Sequence, residues 1–266
     1  PRRETVMGIQ HIDLTLQKVR DQGKKCFVPY IMAGDGGIDQ LLPRLQFLEK
    51  AGATMIEIGI PFSDPAADGP VIQEAGIRAL KSGTTLIAVL ETMKDIREKV
   101  KIPLIIMTYL NPILAIGVEK FARRCDEVGI DACIIPDVPI EEEEDIKPFL
   151  KAYDIALIRL ATLNSSKERI QYISDGAEGF LYAVTVKGVT GVRNSFAEDV
   201  KPYLRILKEV SAVPVLAGFG ISSADHIKEM TDVCDGVIVG SYIVKCFNNG
   251  REQDIKQLIS YSNSIY

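Results

Sequence analysis

The 266-residue sequence predicts a (β/α)8 barrel, an α/β fold of eight parallel strands, with an extra helix before the first strand. Three observations predict it. Eight short runs rich in Val, Ile and Leu recur along the chain, at 26–32, 54–60, 104–109, 132–136, 156–160, 180–184, 213–217 and 236–239. They are near-continuously apolar rather than alternating, as strands covered on both faces are. The stretches between them are long enough for the crossovers that parallel pairing requires. A doubly wound sheet would share these features, but the count of eight and the lack of a second composition zone favour the closed barrel.

Each connecting segment carries helical spacing. In 39–50, Leu41, Leu42, Leu45 and Leu48 fall at i, i+1, i+4 and i+7, one apolar face of a helix. Comparable patterns occur over 87–99, 119–127, 141–152, 166–173, 198–210 and 223–231. Small-residue turns such as Ala51-Gly52-Ala53 and Gly129-Ile130-Asp131 stop helices ahead of strands. Residues 11–22 form an amphipathic helix suited to plugging the barrel floor, and a helix over about 253–263 finishes the chain. The expected organisation is one barrel domain over residues 1–266, in which residues 1–6, ahead of Met7, are either a natural extension or a cloning remnant.

Composition excludes several function classes. A net charge of −5 and a pI near 5.3 argue against nucleic acid or an anionic membrane as the main partner. The longest apolar region, 102–118, is interrupted by Pro103, Asn111 and Pro112, which argues against a membrane span. The five cysteines form no CxxC pair and read as small buried residues in a reducing compartment. No stretch has the layout of a signal peptide, so the expected location is the cytoplasm.

Barrels of this kind place their chemistry at the C-terminal ends of the strands. After the second run stands EIGIPFSDPAADGP, in which Glu57 interrupts an apolar strand. A carboxylate there is desolvated and its pKa rises toward the range that general acid/base work needs. Alone, Glu57 reads more readily as a structural residue paired with a cation, since buried charges are normally paired, but Gly59 on the same face leaves room for a ligand. Asp68 lies on the following loop, where an isolated aspartate is commonly a turn-former. Glycines cluster after the last three runs: Gly188 and Gly191, then Gly218 and Gly220, then Gly240 followed by Ser241. Glycine lets backbone N–H groups approach a phosphate, and loops after the last strands are the usual phosphate site of such barrels. The two histidines, His11 and His226, fall in helices away from strand ends, which leaves no His-based metal cluster or catalytic triad. Apart from Lys187 no lysine stands at a strand end, so a Schiff-base mechanism lacks its nucleophile.

Residues 57–73, EIGIPFSDPAADGPVIQ, closely resemble the signature of tryptophan synthase alpha subunits. The resemblance covers almost the whole chain, through Phe27-Val28-Pro29-Tyr30, Ala33-Gly34-Asp35, Met107-Thr108-Tyr109-Leu110-Asn111-Pro112, Ile135-Pro136-Asp137-Val138-Pro139, and the stretches 188–191, 218–222 and 237–244. It implies a TIM-barrel lyase that cleaves indole-3-glycerol phosphate to indole and glyceraldehyde 3-phosphate. By the same resemblance Glu57 is the acid/base and Asp68 accepts a hydrogen bond from the indole N–H. Tyr30, Met107, Tyr109, Ile134, Tyr182 and Thr190 line the indole pocket. Gly191, Gly220, Gly240 and Ser241 hold the phosphate, and Asp137 pairs with Thr190 on closure. Asp64, Pro65 and Asn111 meet a beta subunit in an alpha2-beta2 heterotetramer. No metal or cofactor is implied in this chain; pyridoxal phosphate belongs to the beta partner. Departures from the commonest pattern are Met32, Gly36-Gly37, Ala66 and Val186-Lys187, none of which removes a catalytic or phosphate residue. Rival readings are a non-catalytic regulatory subunit, a stand-alone lyase that releases indole, and another phosphate-binding barrel enzyme.

Overall fold

The structure, a computed structural model, describes residues 6–185, 196–218 and 220–266, with the side chains of 196–199 left aside. Nine parallel strand segments form one sheet: β1 Cys26–Met32, β2 Ile56–Gly59, β3 Leu104–Met107, β4 Ala132–Ile134, β5 Ala156–Leu157, β6 Arg159–Thr162, β7 Leu181–Val184, β8 Val215–Gly218 and β9 Gly236–Val239. Their order is β5-β4-β3-β2-β1-β9-β8-β7-β6. β5 and β6 are two halves of the fifth predicted strand. β5 pairs with β4, and Ile158 still donates to the carbonyl of Cys133 at 2.9 Å. From Arg159 onward the chain pairs with β7. The break is thus a one-residue handover that joins the two ends of the sheet, and the eight-stranded barrel is closed through it.

Alternation along each strand divides the core in two. Cys26, Val28, Tyr30 and Met32 of β1 join Ile105 and Met107 of β3 in a cluster inside the barrel. Phe27, Ile31, Leu104 and Ile106 point outward, under the helices. This period of two is invisible in hydropathy because both faces are apolar. Helices Ala224–Thr231, Lys167–Ser174 and Leu86–Met93 begin behind Ser223, Ser166 and Thr85, whose hydroxyls accept N–H bonds from the first turn.

The N-terminal helix, Gly8–Asp21, does close the floor: Ile12 and Leu16 pack into the inner cluster. Its start is fixed by Asp131, fully buried between β3 and β4. Asp131 accepts N–H bonds from Gly8 at 2.7 Å and Leu104 at 2.9 Å, with His11 Nδ1 at 2.9 Å and Arg97 Nη2 at 3.3 Å. Three helices go beyond the sequence reading: Pro70–Lys81, Leu110–Ile116 and Ser241–Asn248. All three start at the C-terminal mouth of the barrel, and two of them, through Ile72 and through Ser241 and Tyr242, line the cavity described below. The five cysteines are free and buried.

Candidate active site

Register places Glu57. It sits beside Tyr30 of β1 on one side and Ile105 of β3 on the other, both members of the inner cluster, so its side chain enters the barrel. The residue is 1% exposed, and among the described residues neither carboxylate oxygen has a hydrogen-bond partner. Burial, and after it the charge of Asp68, pushes its pKa up to about 8. The paired, structural alternative for Glu57 therefore finds no support among these residues.

Asp68 lies on the loop from β2 into helix Pro70–Lys81. Its N–H donates to the Pro65 carbonyl at 3.1 Å, and its own carbonyl accepts from Gln73 Nε2 at 2.9 Å. Burial raises its carboxyl to about 6, and a hydrogen bond from the Tyr109 phenol partly opposes the rise. That phenol oxygen also accepts the Ala67 N–H at 3.0 Å, and its ring stacks on Phe62 with centroids 5.4 Å apart. Tyr109 thus braces the loop on both sides of Asp68. The phenols of Tyr30 and Tyr182, driven by burial and then by the two carboxylates, are held well above their ordinary pKa and stay protonated.

The two tyrosines depend on glycines of the neighbouring strands. A Cβ on Gly59 would lie 1.9 Å from the Tyr30 hydroxyl oxygen, and one on Gly218 would lie 2.4 Å from that of Tyr182. The space that the sequence reading assigns to a ligand beside Gly59 is thus occupied by Tyr30, because its ring leans across from β1 onto β2. The ligand space lies next to it: a cavity of about 200 Å³ lined by Tyr30, Glu57, Asp68, Met107 and Tyr182, among others.

Most of the rest of the lining comes from the loops after β8 and β9. It contains Gly220, at φ +75°, with Ile221 and Ser222, then Gly240, Ser241 and Tyr242. Helix Ser241–Asn248 begins there with no side-chain cap, so its first N–H groups and the positive end of its dipole face the cavity. Ile72 and Ile238 complete the lining. Ile72, Ile221, Ser222, Ile238 and Tyr242 carry no role in the sequence reading. Ile221 and Ser222 stood in the stretch 218–222 that signalled a loop at the site, and Ile72, Ile238 and Tyr242 lay within the family-like stretches 57–73 and 237–244, but as ordinary apolar or aromatic residues they carried no signal of their own. His226 lies closer than its helix position implies, since its Nδ1 accepts the Ser222 N–H at 3.4 Å.

The remaining sequence candidates fall into three places. Ile134 is fully buried in the inner cluster and absent from the lining of the cavity. Asp137 is exposed and accepts the Leu110 N–H at 3.0 and 3.3 Å, which caps helix Leu110–Ile116. Asp64 and Asn111 are exposed and Pro65 is half-buried; Leu114, on the helix of Asn111, is 55% exposed. Thr190 and Gly191 lie outside the described residues, as do Gly188 and Lys187. Among the described residues no group of His, Cys, Asp and Glu is arranged to hold a metal ion, and no helix is long and apolar enough to cross a membrane.

A sequence model of the family described as tryptophan synthase alpha chain matches residues 16–265. The tryptophan synthase alpha chain of Oceanobacillus iheyensis is 52% identical over 256 residues, covering 96% of this chain and 98% of that one. That of Bacillus cereus is 49% identical over 253 residues, covering 95% and 96%. The chain belongs to the tryptophan synthase alpha-chain family. Solved structures agree. The tryptophan synthase alpha subunit of Legionella pneumophila superposes with a TM-score of 0.85 at 33% identity, over 95% of this chain and 97% of that one. A tryptophan synthase chain of Mycobacterium tuberculosis gives 0.87 at 27% identity, over 96% and 98%. Membership in the family makes the chain a lyase of tryptophan biosynthesis that carries out the alpha reaction, the cleavage of indole-3-glycerol phosphate to indole and glyceraldehyde 3-phosphate.

Proposed function

We propose that Glu57 and Asp68 carry this reaction between them, in a cavity whose glycine wall holds the substrate phosphate. The observation behind the proposal is a fully buried carboxyl group with no hydrogen-bond partner among the described residues, facing the same cavity as a second, more acidic one. With values of about 8 and about 6, Glu57 is protonated near neutrality while Asp68 is ionised. Environments that separate two carboxyls in this way assign one as acid and the other as electrostatic stabiliser.

Glu57 gives its proton to indole C3. Positive charge then builds on the indole nitrogen, and the Asp68 carboxylate accepts the indole N–H and stabilises it. The bond from C3 to the glycerol carbon breaks, its electron pair returns to the indole ring, and the adjacent hydroxyl becomes the aldehyde. The proton from that hydroxyl returns to Glu57, so no net acid or base is consumed. Tyr30, Met107, Tyr109, Tyr182 and, deeper in the barrel, Ile134 shape the indole end. Gly220, Gly240 and Ser241 offer N–H groups to the phosphate, a remote handle whose binding energy keeps the reacting end in register. Thr190 and Gly191 receive their closure and phosphate roles from the family resemblance, as does Asp137, whose capping of helix Leu110–Ile116 keeps it at the mouth. The exposed surface of Asp64, Pro65 and Asn111 is proposed to meet a beta subunit in an alpha2-beta2 assembly. That partner would carry pyridoxal phosphate and use the indole, with this chain acting in the cytoplasm as one barrel domain and needing no cofactor of its own.

The test is indole formation from indole-3-glycerol phosphate by wild type and Glu57→Gln, each with and without a beta subunit. Loss of a general acid/base predicts a fall of about 10²–10⁴-fold in the variant. Wild-type activity that rises with beta supports the two-chain enzyme, whereas full activity without beta would identify a stand-alone lyase. An active Glu57→Gln would remove Glu57 from the mechanism.

A further inference from the structure

One motif of the resemblance has no part in the chemistry above: Ala33-Gly34-Asp35, at the end of β1. Asp35 is 3% exposed, and its two oxygens accept from Arg78 Nε at 2.7 Å and Nη2 at 3.0 Å, the parallel fork of a strong ion pair. Arg78 lies near the end of helix Pro70–Lys81. The same turn meets that end at two further points, one a hydrogen bond and one a close approach. Ser82 Oγ donates to the Gly34 carbonyl at 3.1 Å, and a Cβ on Gly34, at φ +86°, would lie 1.9 Å from Thr84 Oγ1. At its other end the helix holds the loop of the site. Gln73 bonds the Asp68 carbonyl through its side chain and the Gly69 carbonyl through its N–H, each at 2.9 Å, and Ile72 lines the cavity. Gln73 and Arg78 are five residue steps of helix apart, about 7.5 Å, and that segment behaves as a rigid rod.

We propose that the Asp35–Arg78 ion pair is a positioning device for Asp68: it locks helix Pro70–Lys81 to the end of β1 and thereby fixes the depth at which the Asp68 carboxylate enters the cavity. The inference rests on the reading of Asp68 as the group facing the indole nitrogen. Asp68 is surrounded there by Glu57, Tyr30, Tyr109 and Tyr182, and the pair itself by Arg44 and Glu74. A helix released at its far end lets the loop ride outward and admits water, which lowers the acidity threshold that burial has raised.

The experiment compares Arg78→Met, Arg78→Lys and Asp68→Asn, together with the Arg78→Met/Asp68→Asn double variant, all with a beta subunit present. Thermal melts normalise activity to folded protein. In Arg78→Met, kcat should fall about tenfold with KM changed less than about threefold, because the interaction lost is one made in the transition state. The acid limb of kcat/KM should move below the value of about 6 set by Asp68. Arg78→Lys, which keeps the charge but not the fork, should recover part of the loss. In the double variant the Arg78 effect should vanish, because the group it positions is gone. A lowered melting temperature with an unmoved acid limb and unchanged kcat would overturn the inference, as would full multiplication of the two effects in the double variant. An Asp68→Asn enzyme with wild-type kcat would overturn the reading of Asp68 itself and the inference with it.

Discussion

Keeping Glu57 inside the barrel has a stability cost that can be measured apart from catalysis. Its carboxyl titrates at about 8 in the folded chain, against an ordinary value of 4.5. A group whose folded value is raised favours the fold only while protonated. That contribution is full below pH 4.5, is lost as pH rises toward 8, and is level beyond. Linkage over this interval gives a loss of about 1 kcal/mol at pH 5 and about 5 kcal/mol at pH 9. Glu57→Gln keeps the shape of the side chain and cannot ionise, so it escapes the loss. The stability difference between variant and wild type should therefore grow by about 4 kcal/mol from pH 5 to pH 9. With a urea dependence of about 3 kcal/mol per molar, the midpoint difference should widen by about 1 M. Equilibrium urea unfolding of both proteins at the two pH values measures it. Asp68 titrates in both chains, and to first order its effect cancels. A midpoint difference that stays constant between pH 5 and pH 9 would refute the argument, since it would mean that Glu57 ionises in the fold as easily as in the unfolded chain.

Three further outcomes are expected. The pH profile of kcat/KM should be a bell, lost on the acid side as Asp68 is protonated near pH 6 and on the alkaline side as Glu57 loses its proton near pH 8; initial rates of indole release across pH 5 to about 9.5 check both limbs. Gly59→Ala should force the Tyr30 ring into the cavity, since the new methyl would meet its hydroxyl at 1.9 Å. That variant should lose about 1–3 kcal/mol of stability and raise KM for indole-3-glycerol phosphate, as read from melts and steady-state kinetics. Asp131→Ala should remove the acceptor shared by Gly8, Leu104, His11 and Arg97, at about 3–5 kcal/mol, with hydrogen exchange in helix Gly8–Asp21 accelerating most.

The sequence displays the barrel because its strands are buried on both faces and stand out as unbroken apolar runs. What it hides is pairing. Nothing in Ala156-Leu157-Ile158-Arg159-Leu160 marks Ile158 as the residue where the ladder passes from β4 to β7, because that choice is made by neighbours far along the chain. Two of the missed helices were concealed by proline. Pro70 follows Gly69 and reads as a loop, yet it occupies the first helical position, where its fixed φ fits and its missing N–H is not needed. Pro112 reads as a breaker, yet it stands in the first turn of Leu110–Ile116, where N–H groups have no intrahelical partner. Ser241–Asn248 was hidden by its own glycine turn. Within the site, Glu57 was legible because a charge inside an apolar run is conspicuous. The purpose of Gly59 was not, because the ring that needs its space belongs to a tyrosine 29 positions earlier, a relation that only the register between β1 and β2 reveals.

That register relation occurs twice. Tyr30 pairs with Glu57, and its ring covers Gly59, two residues further along β2. Tyr182 pairs with Leu216, and its ring covers Gly218, two residues further along β8. In both cases a tyrosine leans onto the next strand toward the mouth of the barrel, and a glycine there is what lets it lie down. Both rings border the cavity that contains Glu57 and Asp68. Desolvation is the largest cause of the raised values of both carboxyls, so the bulk that keeps water from them sets their chemistry as directly as any charge does. The glycines therefore act on the acid/base pair through the tyrosines they admit. A proton held on Glu57 at neutral pH and a fold that weakens as that proton leaves are two measurements of the same dry environment.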